Sequence, residues 1–257
     1  MIGVEGLVRR FGSTVAVKGI TFNVNDGEIY GLLGPNGSGK STTMKILAGI
    51  IPPSGGRVVV NGIDVSRDPP LRVKEVVGYV PETPLLYESL TPVEFFNFVG
   101  GSVRGGIRGR NLGGSELRPR QGLGIERYLG ETIGGLSFGT KQKISLISAM
   151  LHDPQVLILD EAMNGLDPKS ARILRELLLG FKEEGKSIVF STHVLALAET
   201  ICDRVGVIYN GEIIAEGGTV DELKEFAHEE SLEDVFLKLT ESQEEVAAIV
   251  GALREAF

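Results

Sequence analysis

The chemistry most readily legible in this chain lies in one run, Gly34-Pro35-Asn36-Gly37-Ser38-Gly39-Lys40-Ser41. Its glycines let successive backbone N–H groups turn inward on an anion. A helix after such a turn adds its positive N-terminal end to the same concavity. Lys40 then supplies a mobile charge for the outer phosphates of a nucleoside triphosphate, and Ser41 a hydroxyl oxygen for Mg²⁺. Thr42, opening the helix, joins Gly34 to Ser41 as an expected nucleotide contact. With 35 glycines in the chain, a glycine-rich turn with an incidental Lys-Ser is the bland alternative. The spacing G-x-x-x-x-G-K-[ST] between an apolar run and a helical one argues against it.

A second constellation is a carboxylate pair. Val156-Leu157-Ile158-Leu159 is an apolar run of strand length ending in Asp160-Glu161. In wound sheets the carboxyl ends of strands form the ligand edge. Asp160 is therefore expected to hold Mg²⁺, directly or through water, and Glu161 to polarise an attacking water. An Asp-Glu at a strand end is by itself often just solvated; the phosphate loop upstream favours the metal-and-base reading.

The elements that must position these groups follow from periodicity and turn chemistry. The opening reads as hairpin material, with Val15–Ile20 and Thr21–Val24 as strands before the turn Asn25-Asp26-Gly27. Glu28–Leu33 is a short apolar strand, and Thr42–Ala48 a helix closed by Gly49. Asn61-Gly62 and Asn210-Gly211 each mark a two-residue hairpin turn. The first joins Val58–Val60 to Ile63–Val65, the second Val205–Tyr209 to Glu212–Ala215. Ser145–Leu151, Ala171–Lys182 and Leu195–Cys202 read as helices, and Ser187–Phe190 as a buried strand. Strands alternating with helices predict an α/β chain with a wound, mostly parallel sheet and an antiparallel N-terminal portion.

Composition narrows the function classes. The chain has 257 residues, 42% hydrophobic and 23% charged, ordinary for a globular protein with one large core or a core plus a subdomain. No apolar run approaches the ~20 residues of a membrane-spanning helix. Met1–Glu5 lacks the basic-then-apolar pattern of a secretory leader. Cys202 is the single cysteine, which excludes an intramolecular disulfide and suits a reducing compartment. A net charge of −8 opposes a nucleic-acid partner held by counterion release.

Further motifs carry a family resemblance. Leu136-Ser137-Phe138-Gly139-Thr140 resembles the signature motif of ATP-binding cassette (ABC) proteins. Asn164-Gly165-Leu166-Asp167-Pro168 looks like that family's D-loop, His193 like its switch histidine, and Phe11 like the aromatic that stacks on adenine. The resemblance runs from about Ile2 to Gly217. It implies a P-loop NTPase fold with a small helical subdomain, divided as residues 1–82 and 147–220 for the nucleotide-binding core, 83–146 for the helical part and 221–257 for a helical tail. It implies ATP and Mg²⁺ as cofactors and ATP hydrolysis as the activity. Glu161 would be the base, assisted by His193, Lys40 and Glu82, with Ser41, Asp160 and Glu82 around the metal. A second cassette, identical or not, would complete a head-to-tail dimer. In it Ser137 and Gly139 of one chain would reach the γ-phosphate held by the other's Lys40, and Asp167 would report across the interface. A separate transmembrane subunit would place the chain at the cytoplasmic face of the cell membrane, with no nucleic acid among its partners.

Three departures from the family pattern are visible. Glu82 stands where glutamine is usual, as in many exporter-type members. Phe138 and Thr140 replace a glycine and a glutamine of the signature, while Ser137 and Gly139 remain. Gly100–Gly124, rich in glycine and carrying Arg104, Arg108, Arg110, Arg118 and Arg120 against Glu116, stands where the family has helices. Glycine costs ~1 kcal/mol per helical position relative to alanine, so a flexible loop or a poorly ordered subdomain segment is expected there. The tail from Ser231 to Thr240 opens with a capping-box-like Ser…Asp and is similar to the tails of drug, lipid and polysaccharide exporters. The competing reading is a soluble cassette ATPase acting on the ribosome or nucleic acid; one cassette and no heptad array weigh against it.

Overall fold

The computed structural model describes residues 1–103 and 123–240. Strands β1 (Ile2–Phe11), β2 (Thr14–Val24), β4 (Gly55–Val60) and β5 (Ile63–Asp64) form an antiparallel sheet in the order β2-β1-β4-β5. Strands β3 (Ile29–Leu33), β6 (Val77–Val80), β7 (Val156–Asp160), β8 (Ser187–Thr192), β9 (Arg204–Tyr209) and β10 (Glu212–Thr219) form a second sheet in the order β10-β9-β3-β8-β7-β6. All neighbours in it are parallel except β10, which returns antiparallel along β9.

The described helices are α1 (Lys40–Leu47), α2 (Pro70–Val76), α3 (Pro92–Val103), α4 (Phe138–Ala149), α5 (Pro168–Glu183), α6 (Leu195–Ile201), α7 (Val220–Ala227) and α8 (Leu232–Leu239). The apolar runs of β3, β7 and β8 are buried throughout, because both faces of their sheet are covered. Ile158 and Val189 point into a core shared with Met44 and Ile46 of α1 and with Val4 and Phe22 of the antiparallel sheet. Leu157, Leu159, Ile188 and Phe190 point the other way, onto Leu146, Leu174 and Leu178 of α4 and α5. Alternate residues of one strand thus build two cores, and α1 is held with the phosphate loop at its N-terminus. A third cluster packs α6, α7 and α8 against β9, and a fourth joins α3 to α4 through Phe95, Phe96, Ile144 and Ile147.

The fold class and both Asn-Gly hairpins agree with the sequence. Asn61 and Gly62 have φ of 48° and 78°, and Asn210 and Gly211 of 49° and 83°, as a type I′ turn requires. Other elements differ. Thr14–Val24 is one strand, not two, and its hairpin partner is β1, which alternation does not reveal. The pairing slips between Val4 and Leu7, Leu7 and Val8, and Arg9 and Arg10; such bulges interrupt the period of two. Helix α4 starts at Phe138, seven residues before the helical reading at Ser145, capped by Ser137. Helix α3 continues through Gly100 and Gly101 to Val103, so the first residues of the stretch expected as a loop are helical. Phe95 and Phe96 are buried, and their packing anchors the helix in spite of the glycines near its end. Arg104, Arg108, Arg110, Glu116, Arg118 and Arg120 lie outside the described residues, as does the tail beyond Thr240.

Candidate active site

The phosphate loop joins β3 to α1. Gly37 and Gly39 have φ of 81° and 110°, left-handed values that favour glycine. A Cβ on Gly34 would sit 2.2 Å from the Ile208 carbonyl oxygen and 2.8 Å from Ser38 Oγ, and one on Gly39 2.7 Å from the Ala16 carbonyl oxygen. The second Asn-Gly hairpin closes on the loop as well: the Gly211 N–H donates to the Ser38 carbonyl at 2.9 Å. No side chain caps α1, so its first-turn N–H groups, unpaired by helix geometry, are available to an anion. Lys40 is buried and donates to the carbonyls of Gly34 at 2.7 Å and Pro35 at 3.0 Å. The concavity in front of it, about 220 Å³, is lined by Ala16, Asn36, Gly37, Gly39, Lys40, Ser41, Thr42, Glu82 and Glu161.

Asp160 ends β7 beside Ser191 of β8. One carboxylate oxygen, Oδ1, accepts from Ser41 Oγ at 3.0 Å and Ser191 Oγ at 2.8 Å, and Oδ2 accepts from the Tyr79 hydroxyl at 3.3 Å. Burial, then the Asp160 charge, pushes the Tyr79 phenol well above its ordinary range, so it stays a neutral donor. Glu161 is also buried and has φ 51°, a conformation costing a non-glycine residue ~1–3 kcal/mol. It is held there by its N–H, which lies 3.1 Å from Ser191 Oγ and 3.2 Å from the Ser191 carbonyl. Its Oε1 lies 3.4 Å from Lys40 Nζ, and its Oε2 is 2.9 Å from His193 Nδ1 and 3.5 Å from Asn164 Nδ2.

Lys40, Ser41, Asp160, Glu161 and His193 are thus brought together from three strand ends. Glu161 Oε1, on the cavity wall, is buried without a hydrogen-bond partner and has the lysine ammonium beside it, as a site shaped for a polar ligand would leave it. The donors around Ser41 are all oxygens: its hydroxyl, the Asp160 carboxylate and Glu82 on the cavity wall. That set fits a hard cation such as Mg²⁺. The arrangement can hold a phosphorylated anion on fixed N–H groups and a cation, with a carboxylate poised at its end.

The remaining predicted residues lie elsewhere. Phe11 is exposed at the end of β1 with the Arg9 guanidinium 4.5 Å from its ring centroid, and does not line the cavity. Ser137 is exposed at the N-cap of α4, accepting from the Thr140 N–H at 3.3 Å; Gly139 follows it, and both stand away from Lys40's cavity. Asp167 caps α5 through the Ser170 N–H at 3.0 Å and pairs with Lys143 at 2.8 Å. Sequence reasoning missed Ser191, Tyr79 and Gln142. A hydroxyl inside an apolar strand was the only signal for Ser191. Gln142 is fully buried on α4, with Nε2 donating to the carbonyls of Ala162 at 3.1 Å and Pro81 at 3.4 Å.

Comparison with known proteins places these features in context. The family model described as ABC transporter matches residues 17–164. An uncharacterized ABC transporter ATP-binding protein of Nostoc sp. is 37% identical over 211 residues, covering 81% of this chain and 61% of the relative. This chain therefore spans about three fifths of that relative's length. The linearmycin resistance ATP-binding protein LnrL of Bacillus subtilis is 34% identical over 224 residues, 86% of this chain and 70% of that protein. A solved ATP-binding subunit of an ABC transporter superposes with a TM-score of 0.85 at 33% identity, covering 93% of this chain and 99% of the other.

Proposed function

The chain belongs to the ABC transporter family of ATP-binding proteins, and from that premise we propose that it binds MgATP and hydrolyses it to drive an exporter-type membrane transporter. The observation that carries the reading is the convergence on one cavity of the uncapped start of α1, Lys40 and Glu161, with Asp160 bonded to Ser41 of its wall at 3.0 Å, although the acidic pair is distant from the loop in sequence. The loop N–H groups and Lys40 take the triphosphate. Ser41 and Asp160, with Glu82 nearby, hold Mg²⁺, which when bound neutralises phosphate charge. An incoming γ-phosphate competes with Glu161 for the Lys40 ammonium. Released from it, Glu161 accepts a proton from the attacking water, and His193, bonded to its other oxygen, fixes the direction of the carboxylate.

Ser137 and Gly139 stand away from their own chain's cavity, which supports a use in trans: a second cassette, head to tail, presents them to the nucleotide. Phe11, exposed at the end of β1, serves as the platform for adenine. No described helix is long and apolar enough to cross a membrane; the transmembrane part is assigned to a partner at whose cytoplasmic side the chain works. The exporter direction draws on the resemblance to LnrL, named for linearmycin resistance.

Phosphate release from purified protein tests the reading. Glu161→Gln should keep nucleotide affinity and lose ~10²-fold or more in turnover, about 2.7 kcal/mol of barrier. Lys40→Ala should weaken binding itself. Turnover of Glu161→Gln at the wild-type rate removes Glu161 as the base.

A further inference from the structure

We propose that Gln142 is a positioning residue that locks the peptide after the base Glu161, and the turn before Glu82, to the helix that carries Ser137 and Gly139. The proposal rests on the hydrolysis reading above. Gln142 is fully buried, and its Nε2 spans the gap between two separate loops, bonding the Ala162 carbonyl at 3.1 Å and the Pro81 carbonyl at 3.4 Å. Ala162 directly follows Glu161, and Pro81 directly precedes Glu82. Its Oε1 is buried with no hydrogen-bond partner. A side chain kept only for packing would be better satisfied as an apolar one, since an unpaired buried acceptor is a net cost. The carboxamide is therefore explained by what its NH₂ group holds.

The same helix is tied to the same loop further along. A Cβ on Gly139 would lie 2.6 Å from the Gly165 carbonyl oxygen, so the two backbones are in close approach, and Lys143 pairs with Asp167 at 2.8 Å. Helix α4 and the segment from Glu161 to Asp167 consequently move as one body. Within that body only Gln142 also reaches, among the hydrogen bonds described, the Pro81–Glu82 turn at the mouth of the cavity. Glu161 already occupies a left-handed conformation. With its N–H fixed by Ser191 and the next carbonyl fixed by Gln142, its backbone has little freedom left, and its carboxylate stays aimed at Lys40. Displacement of α4 by a ligand at Ser137 and Gly139 would be passed to the base through this amide.

Steady-state phosphate release, binding of a fluorescent ATP analogue and thermal melting of the full chain test the proposal. Gln142→Met is close to isosteric and removes both donors. Its kcat should fall roughly tenfold, with KM and analogue affinity within about twofold of wild type and the melting temperature lowered by no more than a few degrees. Should that variant not fold, Gln142→Asn keeps a carboxamide too short to span both carbonyls and should show the same fall in kcat. Unchanged kcat overturns the proposal, as does a joint loss of kcat, affinity and melting temperature in both variants, which would mark a packing role. A wild-type protein that releases no phosphate refutes the hydrolysis reading and takes this proposal with it. An active wild type with active variants sinks the proposal alone.

Discussion

Ser191→Ala is a perturbation whose size can be worked from the geometry. The residue lies in the interior of the six-stranded sheet with no solvent exposure. Its hydroxyl donates to Asp160 Oδ1 at 2.8 Å and lies 3.1 Å from the Glu161 nitrogen. The first contact is charge-assisted and buried, of the kind that contributes ~1.5–3 kcal/mol. The second loses less, because the Glu161 N–H keeps the Ser191 carbonyl at 3.2 Å. Deletion of the hydroxyl opens little space, so a net loss of about 2 kcal/mol is expected, or roughly 4–8 °C in Tm for a domain of this size. Both carboxylates also lose a shared anchor, and a tenfold fall in turnover, about 1.4 kcal/mol of barrier, is the matching kinetic effect. Thermal unfolding, together with phosphate release at saturating MgATP, measures the two effects. A variant within about 1 °C and about twofold of wild type would refute the idea that β8 holds the acidic pair.

Other perturbations follow from single contacts. Gly34→Ala places a methyl 2.2 Å from the Ile208 carbonyl, which neither backbone can accommodate without moving the loop; equilibrium titration should show nucleotide affinity reduced at least tenfold. Hydrogen bonding from Lys143, and then from Ser170, holds the Asp167 carboxyl well below its ordinary range. A depressed carboxylate contributes stability above its unfolded pKa of about 3.9 and loses it as the pH falls toward the folded value. Asp167→Asn should therefore flatten the decline in melting temperature below about pH 4; equal acid slopes in variant and wild type would argue against the cap.

Local chemistry made much of the molecule legible. The glycines at Gly37 and Gly39 announced backbone conformations that few other residues adopt, and both are left-handed in the structure. Asn61-Gly62 and Asn210-Gly211 specified their turns for the same reason. The apolar runs of β3, β7 and β8 were readable because strands covered on both faces have no polar side to present. Where the signal was carried by non-local contacts, reading failed. Strand β1 was hidden by bulges that its partners impose, and the start of α4 by polar residues whose value lies in distant loops. The end of α3 was obscured by glycines that tertiary packing overrides.

Residue order alone thus determined the identity of the phosphate loop, the acidic pair and the turn chemistry, since each depends on neighbours a few bonds apart. Only the folded chain decided which oxygen of Asp160 meets Ser41, that Ser191 and Tyr79 complete its shell, and that the Asn210-Gly211 turn braces Ser38. Those contacts join segments separated by tens to more than a hundred residues. They exist because the strand order β9-β3-β8-β7-β6 brings their ends to one edge, and sequence spacing carries no record of that juxtaposition.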